Sequence, residues 1–186
     1  MANIKILGIS GSLRKGSFNR MALKAAQGLV PAGATLDALD LPELPGFNQD
    51  NEKTPPAAVT ELKAKIRAAD AILLVTPEYN YSVPGVFKNA IDWAARPYGD
   101  SAWKGKPVAI MGASAGVLGT ARAQYHLRQI LVFLDMPAVN QPEVMIASAA
   151  SKFDPGGNLT DDTAKKLIGQ LLANLCELAK RYGAGG

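Results

Sequence analysis

One cysteine and one histidine are all that this chain of 186 residues offers of the two side chains most used in metal and nucleophile chemistry. A single thiol, Cys176, excludes an intrachain disulfide and a cysteine-built metal cluster. A lone imidazole, His126, leaves a histidine metal site or a Ser–His–Asp triad without a basis. No apolar run approaches the roughly 20 residues needed to span a bilayer. The start, Met1-Ala2-Asn3-Ile4-Lys5, has neither the basic segment nor the long apolar segment of a secretory signal. These absences lead to the expectation of a cytoplasmic protein with no metal site and no membrane contact.

Charge is present but dispersed. The net charge of +4 favours anionic ligands. The cations are scattered, however, with no Arg/Lys-rich helix and no aromatic platform, so nucleic acid is not an expected partner. Hydrophobic residues make up 48% and charged residues 19%, ordinary values for a globular chain of one-domain length. A single domain over 1–186 is expected.

The patterning alternates apolar runs with amphipathic stretches. Ile4–Ile9, Thr35–Leu39, Asp70–Thr76, Pro107–Gly112 and Ala138–Met145 read as strands. Ser17–Leu29, Ala57–Ala69, Val83–Ala95, Val117–Asp135 and Thr160–Tyr182 read as helices, with Pro84 in the first turn of the third and Thr160 capping the last. The proline-rich Asp40–Pro56 reads as a long loop. Five successive βα units with near-continuous apolar strands imply an α/β fold. It is a doubly wound, flavodoxin-like five-stranded parallel sheet, order 2-1-3-4-5, with helices on both faces. Such sheets bind ligands beyond the carboxyl ends of their strands, which selects three loops.

The first, Ser10–Asn19, joins a strand to a helix N-terminus, where free N–H groups and the helix dipole favour phosphate. Gly11, Ser12, Arg14, Ser17 and Asn19 are its candidate ligands, with Ser10 a less secure member. The Lys-Ser/Thr pair of a P-loop is missing, and so is G-x-G-x-x-G. The second loop, "TPEYNYSVPG", is stiffened by two prolines and carries Pro77, Glu78, Tyr79 and Asn80. Nothing near Glu78 in sequence pairs with it, which favours hydrogen bonding over catalysis. The third, "GASAGVLG", is small enough for close backbone approach, with Ser114 and Gly116 as candidate contacts.

Taken together, "GSLRKGSFN", "TPEYNYSVPGVFKNAIDW" and "GVLGTARAQYHLRQILVFLD" resemble the NAD(P)H-dependent FMN reductase family, in its bacterial chromate/quinone reductase branch. The resemblance runs from Ile4 to about Glu143. It implies bound FMN, with the first loop as phosphate cradle and the other two along the flavin ring, and NADPH or NADH as co-substrate. Hydride passes to flavin N5 and then to a second substrate in a ping-pong scheme that needs no catalytic side chain. Quinones are the implied acceptors, with chromate, ferric chelates, azo compounds and free flavin as alternatives. Backbone N–H groups near Tyr79 and Asn80 are expected to stabilise charge at flavin N1 and O2. Arg14, Lys15 and Arg96 are candidates for the 2′-phosphate of NADPH. The competing reading, a flavodoxin-type electron carrier, is disfavoured by the basic charge, since such carriers are usually acidic.

The helix Val117–Asp135 has two distinct faces. Leu127, Ile130, Leu131 and Leu134 form a core stripe, while Arg122, Tyr125, His126, Gln129 and Phe133 form another face suited to an interface. Relatives form dimers and tetramers, so Arg122 and Tyr125 are expected to join subunits of a homodimer or homotetramer, with Glu143 as the carboxylate partner of Arg122. Cys176 reads as a core filler.

Overall fold

The computed structural model describes residues 3–183. β1 (Ile4–Ser10), β2 (Ala34–Asp40), β3 (Ala71–Val75), β4 (Val108–Ala113) and β5 (Val144–Ile146) form one sheet in the order β2-β1-β3-β4-β5. Every pairing is parallel, with Ile6 opposite Ala71 and Val75 opposite Met111. Alternate residues supply two cores. On one face Ile6, Leu73, Val75 and Met111 pack against α1 (Phe18–Gln27) and α5 (Asp162–Gly183). On the other, Leu7, Ile9, Ile72, Leu74 and Ile110 pack against α2 (Ala57–Ala68), α3 (Gly85–Ala94) and α4 (Ala121–Phe133). Helices therefore cover both faces, which is why β3 and β4 are buried at every position. Among the described residues no helix is long and apolar enough to cross a membrane.

Several boundaries differ from expectation. α3 begins at Gly85, with Pro84 as its N-cap rather than inside its first turn. α4 begins at Ala121 rather than Val117, because Gly119 and Thr120 are left-handed (φ 55° and 73°) and cannot continue a helix. Gly119 also leaves no room for a Cβ, which would lie 2.7 Å from the Met145 backbone. β5 is only Val144–Ile146. Upstream of it, Ala138 makes an isolated bridge to Val108, and Pro142 has no N–H to extend the ladder. The last helix is capped by Asp161, whose carboxylate accepts from the Ala164 N–H at 2.7 Å. Thr160 instead donates its hydroxyl to the Lys152 carbonyl. Cys176 is buried in the α1–α5 core, and burial pushes its thiol pKa up.

Candidate cofactor site

The loops after β1, β3 and β4 leave the same edge of the sheet and enclose a cleft of about 180 Å³. Ser12, Arg14, Ser17, Phe18 and Asn19 line it from the first loop and the start of α1. Pro77, Glu78 and Tyr79 line it from the second, and Ala113, Ser114 and Ala115 from the third. Gly11, Asn80 and Gly116 belong to these loops but are not among the lining residues.

The first loop is built to leave donors free. Ser17 caps α1, its hydroxyl accepting from the Asn19 N–H at 3.2 Å. The backbone N–H groups of Ser12, Leu13, Arg14 and Lys15 meet no acceptor among the described residues. Ser12 and Ser17 are buried, so their hydroxyls sit at the wall rather than in solvent. Arg14 spends one N–H on the Gly16 carbonyl, and its guanidinium lies 5.8 Å from the Phe18 ring, which in turn stacks on Phe153. Hydroxyls, unpaired N–H groups, one fixed cation and a helix N-terminus with no carboxylate in the loop form a donor set that fits a phosphate monoester.

Two residues of this loop have other work. The Asn19 side chain donates to the Ala113 carbonyl and accepts from the Ala113 N–H, both at 2.8 Å, and so clips α1 to the end of β4. Its amide is spent on the backbone rather than on a ligand. Gly11 is required by packing, since a Cβ there would meet the Phe87 ring at 2.4 Å. Ser10 is buried, and its hydroxyl has no partner among the described residues.

The second loop is a tight hairpin. Tyr79 and Ser82 exchange backbone hydrogen bonds at 3.0 Å in both directions around Asn80 and Tyr81, both at positive φ, which is a type I′ geometry. The Tyr79 N–H is thus consumed inside the turn. That of Asn80 makes no hydrogen bond among the described residues, so the donor expected beside a flavin ring reduces to Asn80. Ser82 Oγ lies 2.9 Å from His126 Nδ1.

Glu78 is held by α4. Its carboxylate accepts from the N–H groups of Arg122 (3.0 Å) and Ala123 (3.2 Å) and from the Arg122 guanidinium. Burial pushes its pKa up. The Arg122 guanidinium and the two N–H groups outweigh that, leaving the carboxyl below the usual range. A carboxylate so occupied has no free lone pair to act as a base. Arg122 is therefore engaged within the chain by Glu78. Glu143 instead faces the Tyr125 hydroxyl and raises its pKa. The Arg122 guanidinium also lies 3.5 Å from the Tyr81 ring centre.

In the third loop, Ser114 Oγ accepts from the Gly116 N–H at 3.1 Å, and its backbone bonds to Ile146 and Ala149. The neighbouring glycines differ in purpose. A Cβ on Gly116 would meet only Ser114 Oγ at 3.5 Å, whereas one on Gly112 would lie 2.0 Å from Thr120 Oγ1 and 2.4 Å from the Thr76 carbonyl. Arg96 stands apart from all three loops. It follows the C-terminal end of α3, about 15 Å of helix from the cleft-side end, and is paired with Glu52 at 2.7 Å and stacked on Tyr98. Phe18, Ala113 and Ala115 line the cleft without having been anticipated. Phe18 lay in plain view between Ser17 and Asn19, but an aromatic residue on an amphipathic helix reads as core.

A sequence model of NADPH-dependent FMN reductases matches residues 4–151. The chain belongs to that family. Membership makes it an oxidoreductase with FMN as cofactor and a nicotinamide as electron donor. Within the family, it is 57% identical to an NAD(P)H-dependent FMN reductase of Pseudomonas aeruginosa, over 93% of this chain and 94% of that one. It is 44% identical to a 2-hydroxy-1,4-benzoquinone reductase of a Burkholderia species, over 89% and 90%. Among solved structures it resembles the flavoenzyme NAD(P)H:(acceptor) oxidoreductase FerB of Paracoccus denitrificans, with a TM-score of 0.87 and 37% identity, covering 96% and 98% of the two chains.

Proposed function

We propose that this reductase, a single FMN-binding domain, carries electrons from NAD(P)H to quinones. The observation that carries the reading is the convergence of the three loops on one cleft, with unspent phosphate donors on one side and a clamped hairpin on the other. The chemistry FMN supplies when bound is acceptance of a hydride from NAD(P)H and its delivery to a second acceptor. Ser12, Ser17, Arg14 and the free N–H groups of the first loop hold the phosphate. Pro77, Glu78, Tyr79, Asn80, Ser114 and Gly116 belong to the two loops that border the ring. Tyr79 is half exposed and Tyr81 more so, and these aromatic surfaces suit a flat acceptor. The Burkholderia relative is named for reduction of a benzoquinone, which favours quinones over chromate, ferric chelates, azo compounds or free flavin as the principal acceptor.

The exposed face of α4 supports assembly into a homodimer or homotetramer. Tyr125, Val132 and Phe133 are 51%, 82% and 75% exposed, a concentration of apolar surface suited to a second copy of the chain. The buried, unpaired Cys176 accords with a cytoplasmic location. The deciding test is the visible spectrum of the purified protein under anaerobic NADPH, then NADH. Flavin bands that bleach and return on adding benzoquinone establish the reading; a protein that takes up no FMN overturns it.

A further inference from the structure

Two elements beside the cleft are each incomplete. The turn Tyr79–Ser82 needs left-handed backbone at both central positions (φ 49° at Asn80 and 69° at Tyr81). Type I′ turns of this kind favour Asn-Gly, and here the second place is a tyrosine, for which that conformation is disfavoured. The helix α4, for its part, starts after Thr120, which is itself left-handed and makes no side-chain cap hydrogen bond. The Ala121 N–H reaches the Leu118 carbonyl, but without Glu78 those of Arg122 and Ala123 would lack acceptors.

Glu78 completes both. One carboxylate oxygen takes the N–H groups of Arg122 and Ala123, capping α4 from another loop. The other takes the Arg122 side chain, and that guanidinium covers the face of Tyr81. The connection runs Glu78, Arg122, Tyr81 and back through the turn to Tyr79, which lines the cleft together with Glu78.

We propose that Glu78 is a positioning residue of the FMN site. Through Arg122 it holds a glycine-free turn in the left-handed form that shapes one wall of the cleft, and it transfers no proton. This rests on the reading of the cleft as the FMN site.

The test uses apoprotein titrated with FMN, the dissociation constant being read from quenching of flavin fluorescence. The variants are Glu78→Gln, Tyr81→Gly and the two combined. Glu78→Gln keeps size but loses the ionic tie, and is expected to weaken FMN binding about tenfold or more. Adding Tyr81→Gly creates Asn-Gly, which adopts the turn unaided, and is expected to recover most of that loss. A purely structural carboxylate would lower the melting temperature of Glu78→Gln and leave FMN affinity alone. That result overturns the proposal, and so does weakening that Tyr81→Gly does not reverse. Should Glu78→Gln fail to fold, Arg122→Ala keeps the two backbone N–H groups that cap α4 on Glu78, and frees Tyr81 together with the second Glu78 oxygen. It is expected to show the same loss and the same recovery, and unchanged affinity in that variant also overturns the proposal. A wild-type protein that binds no FMN fails earlier, and refutes the site rather than the role of Glu78.

Discussion

The loop after β1 leaves its hydroxyl donors and the Ser12–Lys15 N–H groups unspent, while the loop after β3 commits the Tyr79 and Ser82 backbone to its own turn and its carboxylate to α4. The first needs little to hold its shape: Ser17 caps a helix, Asn19 clips that helix to β4, and the backbone between is left open. The second is the reverse. Its turn carries left-handed residues, its carboxylate is filled by hydrogen bonds, and its rigidity comes from a partner 44 positions along the chain. A loop that must hold an anion keeps donors in reserve, whereas a loop that must border a flat ring needs only a fixed outline.

Substitutions can break this contrast at either end. The largest effect is expected from Gly112→Ala, where the added Cβ meets the Thr76 carbonyl at 2.4 Å and a buried hydroxyl at 2.0 Å. Overpacking of this kind costs about 1–3 kcal/mol or more, because backbone must move. Thermal unfolding should show a fall of several degrees, while Gly116→Ala, which meets nothing closer than 3.5 Å, leaves the melting temperature nearly unchanged. Asn19→Ala comes next. It leaves the Ala113 N–H and carbonyl buried without partners, at about 1–3 kcal/mol, measurable by denaturant unfolding with or without FMN. Ser12→Ala sharpens the contrast from the other side. Its hydroxyl bonds to nothing among the described residues, so stability should hold while FMN binding weakens by about 1 kcal/mol, roughly fivefold in dissociation constant.

The smallest effect is a pH dependence. The Glu78 carboxyl is lowered by Arg122 and the α4 N–H groups against the pull of burial, so its folded value lies below its unfolded value of about 4.3. The stability it contributes is fully present above the unfolded value and is lost as pH falls through the folded one. The gap in melting temperature between wild type and Glu78→Gln should therefore be constant above about pH 5 and close as the pH drops below about 4. A gap that instead opens on acidification would mean that the carboxyl is held protonated.

What could be read in advance was whatever depends on neighbours in sequence. Strands, their order and the three loops follow from runs such as Ile72–Val75 and from Gly11, Pro84 and their like. What could not be read depends on contacts between distant positions. Glu78 looked unpartnered because Arg122 lies 44 residues away. Gly11 reads as a phosphate ligand, and what the sequence does not show is that a Cβ there would meet the ring of Phe87. Apolar periodicity continued from Val117 into α4, so nothing in the pattern marked the left-handed Gly119 and Thr120 that delay the helix. Arg96 was a plausible free cation until Glu52 and Tyr98 enclosed it.

The clip between Asn19 and Ala113 has a use beyond holding α1 in place. The Ala113 N–H is the last of β4, and its acceptor among the described residues is a side chain rooted in the first turn of the cradle helix. Its exchange with deuterated water therefore requires either that β4 open or that α1 pull away from the sheet. The two routes differ in company. Opening of β4 would expose the Met111 and Gly112 amides at the same rate, whereas a lifting helix would release Ala113 alone. That single amide proton is a built-in clock for how often the cradle comes loose.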